Sequence, residues 1–231
     1  MPIGFRVYTR INRPDPKLVE RFIALHSADL SDVVNRSRTM DKGIRPLYLP
    51  VKKFVGPAVT VSVPTGAFNA VKEAMQQTQP GDVLVINAYG NLHGALLGGN
   101  VCRGLVARGL AGMVADGAIR DANKIQEDGL PVHARAITTV MGSIEGPGEV
   151  NVPIACGQVV INPGDIIIAD TDGIVVVPPA EAEEVLAGTA KLEASHAAVQ
   201  EILLRGQISN IANIEKKLRE MGCEFIDGVA K

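Results

Sequence analysis

A glycine-rich turn holds the first group of residues whose types and spacing could do chemistry. Gly98, Gly99, Asn100 and Val101 lie where this turn enters a predicted helix. Such a turn presents unpaired backbone N–H groups and the positive end of the helix, so it can hold a carboxylate or a phosphate. A close helix–strand contact that needs small residues is the alternative explanation. The turn fits neither a Walker A loop nor GxGxxG, so no nucleotide is inferred.

The second group is Arg120-Asp121, which follows a predicted strand and a glycine-containing turn. Arginine is the preferred partner of a planar carboxylate or an enolate oxygen. Aspartate supplies a hard oxygen ligand for a divalent cation. The ends of buried strands are where α/β proteins tend to build sites. The alternative is an Arg–Asp pair that caps the next helix.

The other polar residues restrict the kind of site. The four histidines are scattered and no HExxH occurs, which argues against zinc, whereas an oxygen-only site favours Mg²⁺ or Mn²⁺. His93, in the glycine-rich loop, is interpreted as a surface residue. Residues 170–173 begin like a calcium loop but lack its distal glutamate, so we interpret them as a turn.

Composition excludes several classes of partner. The net charge is -2, aromatic residues make up 3% of the chain and tryptophan is absent, so we expect no nucleic-acid partner. No apolar run approaches the ~18–20 residues of a membrane span, and the N-terminus lacks a signal-peptide pattern. The three cysteines, Cys102, Cys156 and Cys223, are widely spaced and predicted to be buried, reduced thiols. We therefore predict a cytoplasmic protein that does not bind membranes.

Alternating strand and helix patterns must position the two groups. They predict an α/β body over residues 1–178 and a helical extension over 179–231, whose two helices could pack on a neighbouring subunit. The predicted helices cover residues 16–25, 30–35, 67–79, 100–108, 180–204 and 210–221, with a further one after residue 121. The predicted strands cover 58–63, 82–87, 112–115, 131–134, 137–141, 150–155, 158–161, 165–169 and 174–177, with loops at 89–99 and 116–121.

Gly98-Gly99, with Arg120-Asp121 after twenty intervening positions, resembles the signature of the RraA-like superfamily. The resemblance covers about residues 15–227. It continues in order and spacing through residues 112–121, 129–134, 150–153, 160–165 and 169–178. It implies a swivelling β/β/α fold, in homotrimers or homohexamers with sites between subunits.

Two branches of that superfamily are relevant. One holds class II pyruvate aldolases, which cleave 4-hydroxy-4-methyl-2-oxoglutarate or 4-carboxy-4-hydroxy-2-oxoadipate to pyruvate and a 2-oxo acid, and which also decarboxylate oxaloacetate. The other holds RraA, a non-catalytic regulator that binds RNase E and usually lacks the aspartate of the Arg-Asp pair. Because Asp121 is present, the resemblance implies the enzyme, with the regulator as the alternative. A related lyase with another substrate, and an oligomer whose site has decayed, also remain open.

The resemblance also implies roles for individual residues. Arg120 would contact the pyruvyl group, and Asp121 would hold Mg²⁺ or Mn²⁺. Asp32 falls roughly where the aldolases carry an acidic residue near the substrate, and Glu193 could be the acidic residue offered by a neighbouring subunit.

Two positions depart from the aldolase pattern. The aldolases often have an acidic residue where this chain has Gly99, and Glu or Asp where it has Lys124. The binding half of the implied site is therefore better preserved than the proton-transfer half.

Overall fold

The computed structural model describes residues 3–64, 66–208 and 211–229. These residues form two compact units, the first ending at Thr189 and the second beginning at Ala190. Within the described ranges, no helix is long and apolar enough to cross a membrane.

The helices and strands of the chain mostly follow the predicted order. In sequence they are β1 (Arg6–Val7), α1 (Pro16–Glu20), α2 (Ser27–Val33), β2 (Arg45–Pro46), β3 (Phe54–Ser62), α3 (Phe68–Gln76), β4 (Val83–Ala95), α4 (Gly99–Ala107), β5 (Gly112–Ile119), α5 (Ala122–Asp128), β6 (Val132–Ile137), β7 (Glu149–Val150), β8 (Ile154–Cys156), β9 (Val159–Ile161), β10 (Ile166–Ala169), β11 (Ile174–Val177), α6 (Ala182–Leu204) and α7 (Ile211–Glu220).

The first unit is built on a sheet in which β3, β4, β5 and β6 are parallel neighbours. Strands β3 and β5 and the first half of β4 are almost continuously apolar and buried, as expected for parallel strands covered on both faces. Helices α3, α4 and α5 pack on one face, and the β8–β9 hairpin packs on the other. The β10–β11 hairpin extends the sheet beside β3 and supports α1 and α2. The predicted α/β fold is therefore confirmed.

Several predicted boundaries were wrong, for local reasons. β4 continues through much of the predicted loop at 89–99, because register shifts against β5 let the glycine-rich segment stay paired. β5 likewise continues to Ile119, past the predicted end at 115. Residues 131–134 and 137–141 are not two strands, since β6 ends at Ile137 and only an isolated bridge joins Ala95 to Met141.

Other predictions shifted by less. The first helix ends at Glu20 instead of continuing to residue 25, and the second begins at Ser27, before the predicted residue 30. The predicted strand at 150–155 is divided between β7 and β8, because Asn151 adopts a positive φ of 56° between them. The predicted start of the last helix, residue 210, lies outside the described residues.

Candidate active site

Adjacent parallel strands bring the two predicted groups together. The turn that holds Gly98 follows β4, and Arg120-Asp121 follows β5. Because β4 and β5 are paired as far as Ala95 and Ala118, their carboxyl ends lie side by side. This is the edge of a parallel sheet where α/β proteins place ligands.

The two groups are in direct contact. The Gly99 N–H donates to Asp121 Oδ2 at 3.0 Å, and Arg120 Nε lies 3.9 Å from the same oxygen. A Cβ atom at Gly98 would lie 2.7 Å from Asp121 Oδ2 and 2.7 Å from Arg120 Cγ. Glycine is therefore required at position 98 for this contact. The glycine turn does pack closely, as the alternative explanation predicted, but it packs against Arg120 and Asp121, the other group of the site.

The Asp121 backbone determines what its carboxylate can do. Asp121 has φ 62° and ψ 39°, a left-handed conformation that aspartate tolerates better than most residues. It precedes α5, but its side chain makes no capping hydrogen bond to that helix. Asp121 therefore occupies the N-cap position of α5, as the alternative explanation predicts, but its side chain does not cap the helix. Among the described residues, Asp121 Oδ1 accepts no hydrogen bond, so it is available to a ligand.

Two of the backbone N–H groups predicted to bind the substrate already donate hydrogen bonds within the protein. The Gly99 N–H bonds to Asp121, and the Val101 N–H bonds to the Gly98 carbonyl oxygen at 3.0 Å. Asn100 occupies the second position of α4, where no preceding helical carbonyl can accept its N–H. The Asn100 N–H is therefore the donor of this turn best placed for a carboxylate.

A small cavity of about 60 Å³ adjoins these residues. Gly98, Val101 and Arg120 form one side, and residues 141–143 form another. Drug-sized ligands occupy pockets of about 300–1,000 Å³, so this cavity suits only a fragment of a few atoms. Sequence analysis missed residues 141–143, because it assigned Met141 to a strand. The only sequence signal there is Gly142, where a Cβ would lie 2.6 Å from the Ala95 carbonyl oxygen.

The nearest cysteine is not a candidate nucleophile. Cys102 is buried in α4, and burial, with smaller effects of Asp128 and Asp121, raises the pKa of its thiol to about 12. A thiol with that pKa stays protonated at neutral pH and is a poor metal ligand. Cys102 and Cys156 are buried free thiols, as predicted, whereas Cys223 follows the last helix and is exposed, so the prediction of burial is wrong for that residue.

The two further acidic residues lie elsewhere. Asp32 is exposed on α2 and pairs with Arg36 Nη2 at 3.4 Å. Helix α2 packs against β11, and no hydrogen bond or ion pair among the described residues joins Asp32 to Arg120 or Asp121. Glu193 is exposed on the part of α6 that belongs to the second unit. The roles predicted for both acids remain predictions.

Lys124 occupies the space beside the glycine turn. A Cβ built on Gly99 would lie 2.9 Å from Lys124 Cβ and 3.2 Å from Lys124 Cδ. The aliphatic part of Lys124 therefore packs over Gly99, next to the Cβ of Asp121, which would be 3.2 Å from the same built atom. Gly99 and Lys124, the two departures from the aldolase pattern, therefore depend on each other. The stem of Lys124 fills the space that a side chain at position 99 would occupy.

Comparison with known proteins gives a consistent family. Residues 27–176 match the RraA-like family, described as Aldolase/RraA. A Halalkalibacterium halodurans protein provisionally named 4-hydroxy-4-methyl-2-oxoglutarate aldolase is 35% identical over 200 residues, 87% of this chain and 95% of that protein. A Thermus thermophilus 4-hydroxy-4-methyl-2-oxoglutarate aldolase is 37% identical over 108 residues, 47% of this chain and 66% of that protein.

Solved structures agree with this assignment. The crystal structure of Streptomyces coelicolor RraAS2, an unusual member of the RNase ES inhibitor RraA family, superposes with a TM-score of 0.74 and 32% identity. That match covers 83% of this chain and 99% of RraAS2. With residues 27–176 matched to the family and the Gly98-Gly99 and Arg120-Asp121 groups in contact, the chain belongs to the RraA-like family.

Proposed function

We propose that the protein is a divalent-metal-dependent aldolase that cleaves a 4-hydroxy-2-oxo acid to pyruvate and a 2-oxo acid, and that also decarboxylates oxaloacetate. The observation that carries the proposal is the contact between the Gly98-Gly99 turn and Arg120-Asp121 beside a small cavity. The names of the two aldolase relatives support the same reaction class.

The donor set fits Mg²⁺ or Mn²⁺ better than zinc. Asp121 offers one free carboxylate oxygen, and the described residues contain no cluster of three or more His, Cys, Asp or Glu side chains that could hold a metal. Mg²⁺ commonly keeps several waters and is held by one or two carboxylates, so a single aspartate is sufficient. A cation held there would act as a Lewis acid toward the 2-oxo acid.

Arg120 and the Gly98-Gly99 turn bind and orient the substrate in this proposal. The Arg120 guanidinium donates to the carboxylate or the enolate oxygen of the pyruvyl part, where negative charge develops. The Asn100 N–H donates to the carboxylate. The cavity accommodates the small pyruvyl end, so the remainder of the substrate extends outside it.

The bond changes follow from this arrangement. A base removes the proton of the C4 hydroxyl, the C3–C4 bond breaks, and its electron pair forms the enolate of pyruvate while C4 becomes a carbonyl. The enolate then takes a proton at C3. Oxaloacetate reaches the same enolate by losing CO₂. We assign the base to a water molecule that an acidic group orders. That group is either Asp32 or the Glu193 side chain of a second copy.

A homotrimer or homohexamer would bring that second copy to the site. The second unit carries exposed apolar side chains, among them Ile214, Leu218 and Met221 on or directly after α7. Their spacing places them on one face of the helix, and such uncovered apolar faces are typical of subunit contacts.

The test is pyruvate release from oxaloacetate and from 4-hydroxy-4-methyl-2-oxoglutarate, with Mg²⁺, with Mn²⁺ and after EDTA. The matched variant is Asp121→Asn, since asparagine also tolerates the left-handed conformation and can still accept the Gly99 N–H. We expect metal-dependent release by the parent and none above free metal by Asp121→Asn. Equal metal response of both proteins would refute the assignment of Asp121.

A non-catalytic regulator is the second candidate, favoured by the similarity to RraAS2 and by Gly99 and Lys124. It predicts no pyruvate release and direct binding to a ribonuclease of the RNase E class. Co-purification of the two proteins in the absence of any turnover would replace the aldolase proposal with this one.

A further inference from the structure

Lys124 is a cation beside the site that the proposed reaction does not use. Its stem is fixed over Gly99 and next to the Asp121 Cβ, so the base of the side chain is held by packing. Lys124 is exposed, which leaves its ammonium group accessible from solvent.

The neighbouring charges leave that ammonium group without a partner. The residue one helical turn ahead, Asp128, would be its natural partner four positions along. Both carboxylate oxygens of Asp128 instead accept from Arg103 Nε at 3.1 Å. Across the described ranges, no carboxylate oxygen lies within 4.0 Å of the Lys124 nitrogen.

Together with Arg120, this gives the site more positive than negative charge. Arg120 Nε lies 3.9 Å from the Asp121 carboxylate, at the limit of an ion pair, and the Lys124 stem packs near the Asp121 Cβ. Lys124 does not line the cavity, but its stem packs on Gly99, the neighbour of the cavity residue Gly98. Its unpaired ammonium group therefore favours an anionic group in a ligand that extends out of the cavity. The cavity of about 60 Å³ holds only the pyruvyl end, so the distal part of a longer acid lies outside it.

We infer that Lys124 is a specificity-determining residue that binds the distal carboxylate of a 2-oxo diacid. This rests on the proposed function, because it takes the pyruvyl end to lie against Arg120 and Asp121. The substrate printed in the names of the relatives, 4-hydroxy-4-methyl-2-oxoglutarate, is such a diacid. The exchange of an acidic residue for lysine at this position would make this chain select diacids over monoacids.

The experiment compares two ligands that differ only in the distal carboxylate, 2-oxoglutarate and 2-oxopentanoate. Their dissociation constants are measured by titration calorimetry with Mg²⁺ present, for the parent and for Lys124→Met, Lys124→Arg and Lys52→Met. Methionine keeps an unbranched stem over Gly99 without the charge, and arginine keeps the charge. Lys52 is an exposed lysine before β3 and serves as the control.

We expect the parent to prefer 2-oxoglutarate by about fivefold, the scale of one exposed ion pair. Lys124→Met should lose this preference through weaker binding of 2-oxoglutarate alone, while Lys124→Arg and Lys52→Met should keep it. Equal binding of the two acids by the parent, or an unchanged preference in Lys124→Met, would overturn the inference.

The two proposals fail separately. Metal-dependent pyruvate release by a parent that binds both acids equally would leave the aldolase in place and remove the role of Lys124. A preference for 2-oxoglutarate that depends on the Lys124 charge, in a protein that releases no pyruvate, would keep the role of Lys124 and remove the aldolase proposal.

Discussion

Asp121 combines a strained backbone with a carboxylate whose second oxygen is free. Its left-handed conformation turns the side chain toward the Gly99 N–H and away from α5. Residues held in sparsely populated backbone regions persist where the surrounding structure fixes them, and they cluster at functional sites. At the residue scale, the position therefore needs both a particular backbone and a particular charge.

Arg120 is the residue whose chemistry is least replaceable. We expect Arg120→Lys to lower kcat/KM for oxaloacetate decarboxylation by about a hundredfold, because lysine cannot make the planar two-point contact with an enolate or carboxylate. Arg103→Lys, which alters the pair with Asp128, is the matched control and should remain close to the parent. Steady-state kinetics of the three proteins decide this, and near-parent kinetics of Arg120→Lys would contradict the role.

At the element scale, two glycines of α4 and its N-terminal turn have opposite requirements. Gly98 precedes the helix and abuts Arg120 and Asp121, whereas Gly104 is exposed within it with no atom within 4 Å of a built Cβ. Gly98 allows the close contact within the site, whereas no contact in the described chain requires a glycine at position 104.

Gly98→Ala should impair binding of 2-oxo acids, because its Cβ would displace the Arg120 and Asp121 side chains. The φ of Gly98, -145°, is accessible to alanine, so the loss should come from steric conflict and not from backbone strain. Gly104→Ala should leave ligand binding unchanged. Titration calorimetry with pyruvate and Mg²⁺ checks both, and unchanged affinity in Gly98→Ala would contradict the geometry.

The exposed glycine also predicts an effect on stability. Gly104→Ala should raise the free energy of unfolding by about 0.5–1 kcal/mol, because alanine loses less conformational entropy than glycine in a helix. Urea unfolding measures the change. A decrease would mean that Gly104 has a packing role that the described residues do not show.

At the scale of the whole molecule, a buried histidine connects separate parts of the first unit. His133 on β6 is fully buried, packs edge-on against Phe54 at 5.5 Å, and donates from Nε2 to the Asp170 carbonyl oxygen at 2.8 Å. Its Nδ1 has no hydrogen-bond partner within the described part of the chain. Burial lowers the His133 pKa from its usual 6.5, although Asp170 acts in the opposite direction.

This predicts a loss of stability in mild acid. Because the pKa of His133 is lower in the folded than in the unfolded chain, the unfolded chain binds more protons as the pH falls below about 6.5. The contribution of His133 is complete above that pH and decreases below it. Urea unfolding from pH 8 to pH 5 should show a shallower acid loss in His133→Gln than in the parent. His93→Gln, at an exposed position, should keep the dependence of the parent, and an equally steep loss in His133→Gln would contradict this account.

Subunit complementation tests the proposed assembly. If Glu193 acts at the site of a second copy, Glu193→Gln and Asp121→Asn should each be inactive alone. Co-expressed, they should restore activity in about a quarter of the sites by random assortment within a cyclic oligomer. Mass measurement by light scattering should give three or six times 24.4 kDa. A monomer, or no recovery from two inactive variants, would exclude a shared site.

The sequence by itself determined the family signature, the α/β class and most strands and helices, because glycine turns and apolar strands are local patterns. Only the tertiary structure decided which atoms meet. The hydrogen bond from Gly99 to Asp121, the 141–143 wall of the cavity and the packing of Lys124 over Gly99 join residues that are distant in the chain. They depend on the register of β4 against β5, where bulges keep a glycine-rich segment paired, and no local pattern specifies such a register.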